Sequence, residues 1–334
     1  MKNQVKKGEG LNLESKAVGC FAGLAIGDAF GDIARKDEFR IQYGIVTDLY
    51  EGAKSTDDTE FAVLTAKSII DSGGKLTSKS VVEAWQKYII AQGGVFDRGG
   101  RPLRGAVHNL QKGMLPPFSG KYNALNNDDG AAMRIAPIGI LCAGNPTLAA
   151  SMAEIESQIS HFEDGIYAAQ AVAASVSLAM VNAPIDDIIN VAFNYIPSDS
   201  WLGYSMYKAI GICDAHPTIE SAWALLHTEF WSPERSLSPE AISQAYSVFR
   251  LVHGDFQQSI FWGGNFGRDA DTICAIVGAF SGALNGVEII PQDWIEKTKS
   301  PSGVCLKFSK DENVVDLAKQ VLQIGIKNGY VKGG

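Results

Sequence analysis

The 334-residue sequence is short of the groups that build most metal and redox sites. Its five cysteines, Cys20, Cys142, Cys213, Cys274 and Cys305, are scattered, and none stands in a Cys-x-x-Cys pair. The histidines number five and form no His/Cys grouping suited to zinc. An odd set of cysteines beside Gly, Ala or Ile reads as small apolar packing residues in a reducing compartment. Strand-type alternation is nearly missing and surfaces only weakly over residues 39–48. No low-complexity segment, solenoid-type repeat or disordered linker divides the chain, which reads as one domain over 1–334 with a flexible tail at 1–14. An excess of positive charge is missing too: Lys and Arg total 29 against 37 Asp and Glu, a net charge of −8. That balance excludes a general affinity for nucleic acid or anionic membranes, although a local anion or metal site remains open.

Hydrophobic residues make up 46% of the chain. The apolar runs at 17–29, 165–183 and 272–286 are rich in Ala, Ser and Gly; Asp28 interrupts the first and the third is too short to span a bilayer. Buried helices of a cytoplasmic protein are the expectation. Apolar residues recur at helical spacing over 61–70, 80–91, 131–141, 148–159, 166–180 and 185–193, then over 201–213, 219–230, 239–252, 272–284 and 313–327. Thr77-Ser78, Asn145-Pro146 and Ser238-Pro239 supply helix starts. The chain is therefore expected to be all-α, a compact orthogonal multi-helix bundle.

Two glycine ladders run at four-residue spacing: Gly19, Gly23, Gly27 and Gly31, and later Gly278, Gly282 and Gly286. On helices each ladder is a stripe that lets another backbone come close. Glycine costs a helix roughly 1 kcal/mol relative to alanine, so the close approach has to return something.

The chemistry lies in a repeated acidic pattern. Ser55-Thr56-Asp57-Asp58-Thr59 precedes one apolar helix, and Asp269-Ala270-Asp271-Thr272 opens another. A single Asp or Thr there is an ordinary N-cap at the positive end of a helix dipole. Two clusters, each with two carboxylates and a threonine hydroxyl, exceed what capping requires. Brought face to face, Thr56, Asp57, Asp58, Asp269, Asp271 and Thr272 form an oxygen-rich donor set for hard divalent cations. Two bridged Mg²⁺ or Mn²⁺ ions, about 3.5–4 Å apart, would neutralise it as a hydrolytic centre. An isoprenoid-synthase DDxxD pattern is not met, because Thr59, Glu60 and Phe61 follow the acid pair.

These motifs resemble the ADP-ribosylglycohydrolases. The likeness runs in order through GCFAGLAIGDAFG (19–31), STDDT (55–59), Phe96-Asp97-Arg98-Gly99, Gly130-Ala131-Ala132-Met133-Arg134, Ile159-Ser160-His161 and GRDADT (267–272). The resemblance implies an all-α fold with a metal cleft holding two Mg²⁺ or Mn²⁺ ions. It also implies hydrolysis of the bond between the distal ribose of ADP-ribose and its acceptor. Carried over residue by residue, Asp97, Asp58 and Asp269 are the candidate catalytic groups. Gly130, Ala131, Ala132, Met133 and His161 are the candidate substrate-binding residues, with small residues at a helix start exposing N–H groups to a pyrophosphate. The expected partner is an ADP-ribosylated protein, with arginine the favoured acceptor. The expected role is to reverse an ADP-ribosyltransferase, which extends to immunity against an ADP-ribosylating toxin. Serine-linked or O-acetyl conjugates remain alternatives, as does a non-catalytic module that binds and blocks a transferase.

Two positions depart from the family pattern. Asp128-Asp129 stand where many relatives carry Gly-Asn. Arg35 stands where several carry a glutamate near the metals, so Asp32, Asp37 or Glu38 compensates, or Arg35 binds phosphate or repels a metal.

Overall fold

The computed structural model describes residues 12–332. Among them the chain forms seventeen α-helices and four short 3-10 segments, with a single isolated bridge, Asp128 to Leu237, in place of any sheet. The all-α expectation holds. Of the tail expected at 1–14, residues 1–11 lie outside the described residues, while Leu13 and Glu14 already belong to the first helix, capped by Asn12.

The first helix, Leu13–Ala34, and the helix Ala270–Asn285 make the most extensive helix pair. Their glycine stripes face each other in antiparallel order. A methyl group built on Gly19, Gly23, Gly27 or Gly31 would overlap the carbonyl oxygens of Gly282, Gly278, Cys274 and Ala270 respectively. The backbones therefore touch directly, and no side chain larger than hydrogen fits between them. The first helix is long and apolar enough to cross a membrane, yet that stretch is wholly buried inside the protein. This packing fixes the ends as well as the middles: the C-terminal end of the first helix lies beside the N-terminal end of Ala270–Asn285. A third helix, Asp57–Asp71, starts at the same place, and Phe61, Leu64 and Ile69 sink its apolar face into the main core.

Several expected boundaries move. The weak strand signal at 39–48 yields instead the short helix Asp37–Tyr43, whose first turn carries Asp37 and Glu38 at the favourable end of the dipole. The helix expected over 131–141 begins only at Ala136, because residues 129–134 form turns. Helices Arg101–Gln111 and Phe256–Asn265 were not anticipated.

Candidate functional site

Where the three helix ends meet, a cavity of about 270 Å³ opens, lined by Asp57, Asp58, Asp128, Asp129, Asp269 and Asp271 together with Arg35, Arg98 and Arg235. A larger hollow of about 560 Å³ lies at the opposite end of the first helix, near Glu14 and Lys319. Its lining contains neither a close carboxylate cluster nor an orphaned buried group, so the smaller cavity is the candidate site.

The acid pairs do not serve as caps. Thr56 and Asp269 hold the N-cap positions of their helices, and neither makes a side-chain capping bond. Their neighbours turn toward the cavity. Asp28, on the first helix, is the residue that joins the parts, and sequence reasoning missed it. Its carboxylate accepts the Thr56 N–H and hydroxyl, each at 2.6 Å, and the Thr59 N–H and hydroxyl at 3.1 and 2.6 Å. The signal was present, since Asp28, Asp32 and Arg35 fall on one helical face of an otherwise apolar, glycine-rich run. Asp28, Asp58 and Asp271 can each bring an oxygen within 4.8 Å of the others, and Asp58 Oδ1 is buried without a partner.

So many buried carboxylates oppose one another's ionisation. Burial pushes Asp57 up to about 8, with Asp271 adding to it and Arg98 pulling back. Burial raises Asp28 to about 7 despite its hydrogen bonds from Thr56 and Thr59. Asp269 rises to about 6, burial first and Asp271 second, with Arg35 opposing. Asp58 and Asp129 stand well above the ordinary carboxylate range, again through burial first and neighbouring acids second.

Guanidinium groups supply part of the counter-charge. Arg35 Nη1 lies 2.8 Å from Asp269 Oδ1 and also donates to Asp271 Oδ1. Arg98 Nη2 lies 2.8 Å from Asp271 Oδ2 and 3.0 Å from Asp32 Oδ1. Arg235 Nε reaches Asp269 Oδ1 at 3.3 Å. Arg98 is steered there by its left-handed backbone (φ 73°) and by Phe96 two residues earlier, whose N–H donates to the Cys305 carbonyl at 2.9 Å. That carbonyl belongs to a loop whose N–H groups at Val304, Cys305 and Leu306 all donate to buried Glu60.

The other expected residues divide. Gly130 and Met133 line the cavity, whereas Ala131 and Ala132 are buried behind it. The Gly130 N–H is already taken by Asp128 Oδ1 at 2.9 Å, so this turn presents no helix N-terminus to a phosphate. Thr272 lines the cavity; Thr56 does not, and its hydroxyl donates to Asp28 while keeping its oxygen lone pairs. Asp97 is exposed and outside the lining; its neighbour Arg98 enters instead. Asp37 and Glu38 are exposed, so Asp32 is the acid that joins Arg35. Arg134 lies in a buried ion pair with Glu156 at 2.9 Å. His161 is fully buried. The Asp128 carboxylate only accepts, so Nε2 of the neutral ring donates to Asp128 Oδ1 at 2.6 Å. Nδ1 then accepts from the Ser160 hydroxyl at 2.7 Å, a hydroxyl that itself accepts from Arg134 at 3.0 Å. Burial lowers the His161 pKa, which keeps the ring neutral. His161 thus holds Asp128 in place and does not face the cavity.

The donors decide how well divalent ions fit. Asp28, Asp58 and Asp271 offer clustered hard oxygens, one of them orphaned, which suits one ion. Asp269 Oδ1 and both oxygens of Asp271 already face guanidinium groups, so a second ion beside Asp269 would have to displace Arg35 as the side chains stand.

A sequence model described as ADP-ribosylglycohydrolase matches residues 9–328. The chain is 28% identical over 299 residues to an uncharacterized protein of Archaeoglobus fulgidus, covering 86% of this chain and 92% of that one. It is 25% identical to the ADP-ribosyl-[dinitrogen reductase] glycohydrolase of Rhodospirillum rubrum over 86% of this chain and 92% of the relative. It is also 25% identical to an ADP-ribosylarginine hydrolase of Pseudomonas putida over 84% and 74%. A solved structure titled ADP-ribosylglycohydrolase-related protein complex superposes with a TM-score of 0.63 over 94% of this chain and 99% of that one, at 21% identity, which speaks for the fold alone.

Proposed function

The chain belongs to the ADP-ribosylglycohydrolase family, and from that premise we propose that it is a divalent-metal-dependent hydrolase that removes ADP-ribose from arginine side chains of a modified protein. One observation carries the site: Asp28, Asp58 and Asp271 converge from three helices, with Asp58 and Asp271 lining a cavity walled by further acids and arginines and Asp28 buried beside them. A modified protein is favoured as substrate because one relative is named for ADP-ribosyl-[dinitrogen reductase], and the arginine linkage because another is named an ADP-ribosylarginine hydrolase.

A divalent ion held there would grip ribose hydroxyls and acidify a water. The chain's own groups divide the remaining work. Arg235, 54% exposed at the mouth, offers a guanidinium to the diphosphate. Asp129 Oδ2 is buried in the wall without a partner, and its carboxyl is held well above the usual range. It is the group fitted to exchange a proton with the attacking water or the leaving nitrogen. Breaking the glycosidic bond builds positive charge on the ribose, and the surrounding carboxylates stabilise that charge.

The five cysteines are free and buried, which supports the expected cytoplasmic setting. Nothing in the cleft speaks for a toxin as partner, so the proposed role is reversal of a transferase's mark on a protein. The test is release of ADP-ribose from arginine-modified, serine-modified and O-acetyl conjugates with Mg²⁺ or Mn²⁺ supplied. Release from the arginine conjugate alone is expected; no release from any conjugate by metal-loaded protein would overturn the reading.

A further inference from the structure

The cleft acids fall into two sets with different needs. Asp28, Asp58 and Asp271 approach within 4.8 Å of one another. Asp58 Oδ1 is buried with no partner, and Asp28 Oδ1 accepts only the Thr56 hydroxyl, which leaves it a lone pair. Asp271 is shared with the neighbouring set, its two oxygens facing Arg35 and Arg98, but among the described residues no cation faces Asp28 or Asp58, so this set has room for one. The other set, Asp269 with Asp271 Oδ1, already has one. Arg35 Nη1 bridges the two carboxylates, and its side chain is only 11% exposed. The residue closes the first helix as its C-cap, with its N–H bonded to the Gly31 carbonyl, and Gly31 is locked against Ala270. Arg98 and Arg235 close the outer approaches, on Asp271 Oδ2 and Asp269 Oδ1. A guanidinium stays protonated at every working pH and presents its charge in a fixed plane. A divalent ion pressed against it would meet like-charge repulsion and would have to share oxygens already engaged.

We infer that this chain holds one divalent cation, at Asp28, Asp58 and Asp271, and that the Arg35 guanidinium permanently fills the neighbouring cationic position between Asp269 and Asp271. The second position then carries a fixed single charge with directed N–H donors. It donates hydrogen bonds but cannot bind an oxygen as a ligand, so only the ion at the first position can activate water.

The inference rests on reading the cleft as the hydrolase's metal site, but its test counts ions without substrate. Full-length protein is stripped with chelator and titrated with Mn²⁺ by equilibrium dialysis, and the bound ions are examined by electron paramagnetic resonance. The wild type is expected to bind one Mn²⁺ per chain with the hyperfine pattern of an isolated ion. Arg35→Glu is expected to bind two, with a spectrum broadened by exchange coupling. Asp58→Asn is expected to weaken binding about tenfold or more. Two coupled ions in the wild type, or none, overturn the inference. If Arg35→Glu fails to fold, the wild-type count and spectrum decide alone. ADP-ribose release is assayed separately. Two ions with release removes this inference and keeps the hydrolase; one ion without release does the reverse.

Discussion

The Asp28 carboxylate clamps Thr56, taking its hydroxyl on one oxygen and its backbone N–H on the other, each at 2.6 Å. The bond joins the first helix to the start of the helix Asp57–Asp71, and so aims Asp57 and Asp58. Two substitutions separate the clamp from the charge. In Asp28→Asn the amide can donate to the Thr56 hydroxyl while its oxygen keeps the N–H bonds, so stability is expected to change by only about 1 kcal/mol. The lost charge should weaken Mn²⁺ binding about tenfold or more. Asp28→Ala strands several buried donors and is expected to cost roughly 2–4 kcal/mol. Urea unfolding with Mn²⁺ titration checks both; an Asn variant with wild-type metal affinity would remove Asp28 from the donor set.

A second prediction concerns the glycine stripes. Gly→Ala inside a helix normally stabilises by about 1 kcal/mol. At Gly278 the added methyl would overlap the Gly23 carbonyl oxygen, so Gly278→Ala is expected to cost roughly 1–3 kcal/mol instead. Gly211 is the control: it is exposed in the helix Trp201–Ala215 with nothing near its would-be Cβ. Gly211→Ala is expected to gain about 0.4–1 kcal/mol. Equal effects at the two positions, measured by denaturant unfolding, would contradict backbone-to-backbone packing.

These stripes show what a sequence can reveal and where it stops. Four-residue spacing of glycine is readable because helical geometry is local, and so are the acid pairs ahead of two apolar helices. Which stripe faces which, and in what direction, depends on packing, and that direction carries Asp28 to Thr56. Asp28 looked like an interruption in an apolar run because its four donors lie 28 to 31 residues away. Arg98 left no sequence signal; a left-handed backbone and the Phe96–Cys305 hydrogen bond bring it in. The helix expected from Ala131 failed to start there because residues 127–129 are tied to the 236–238 segment: the Asp129 N–H donates to the Ser236 carbonyl, the Ser238 N–H to the Asn127 carbonyl and the Ser238 hydroxyl to the Asp128 carbonyl.

His161 is expected to act through Asp128 and not on substrate. His161→Ala removes one of the two donors to Asp128 Oδ1, which keeps the Gly130 N–H, and takes the acceptor from the buried Ser160 hydroxyl, so it should cost roughly 1–3 kcal/mol. Gln places an N–H donor near the position of Nε2, so His161→Gln should recover part of the loss. Turnover per folded molecule should follow the same order. Because the ring is held neutral, the wild-type rate should show no inflection attributable to it near pH 6.5. An inflection that vanishes in His161→Gln would give the imidazole a direct part in the chemistry.

Asp129→Asn should raise stability while lowering activity. The carboxyl is 2% exposed and faces Asp269, Asp128 and Asp58, so replacing it with a neutral amide relieves repulsion at neutral pH. The amide cannot exchange a proton, so turnover is expected to fall about 100-fold or more, within the span usual for a general acid or base. Thermal melting and ADP-ribose release from one preparation test the pair of effects. Full activity in Asp129→Asn would dismiss its proton role.

The metal-free protein should lose stability as the pH rises. Asp269, Asp28 and Asp57 reach about 6, 7 and 8 in the folded state, raised mainly by burial from an ordinary 3.8. A group raised on folding binds more protons in the native state. Its stabilisation is complete below about 3.8 and disappears as the pH climbs through the raised value. His161 works in the opposite direction, but only below about 6.5, where the unfolded ring takes up a proton. Between pH 6.5 and 8 the acids therefore set the slope, and chelator-treated protein should unfold at progressively lower urea. Saturating Mg²⁺ or Mn²⁺ binds the ionised carboxylates, more tightly as the pH rises, and should flatten or reverse the trend. Unfolding midpoints at several pH values, with chelator and with metal, separate the two curves. Metal-free protein that grows more stable from pH 6.5 to 8 would mean that the arginines alone neutralise the cluster.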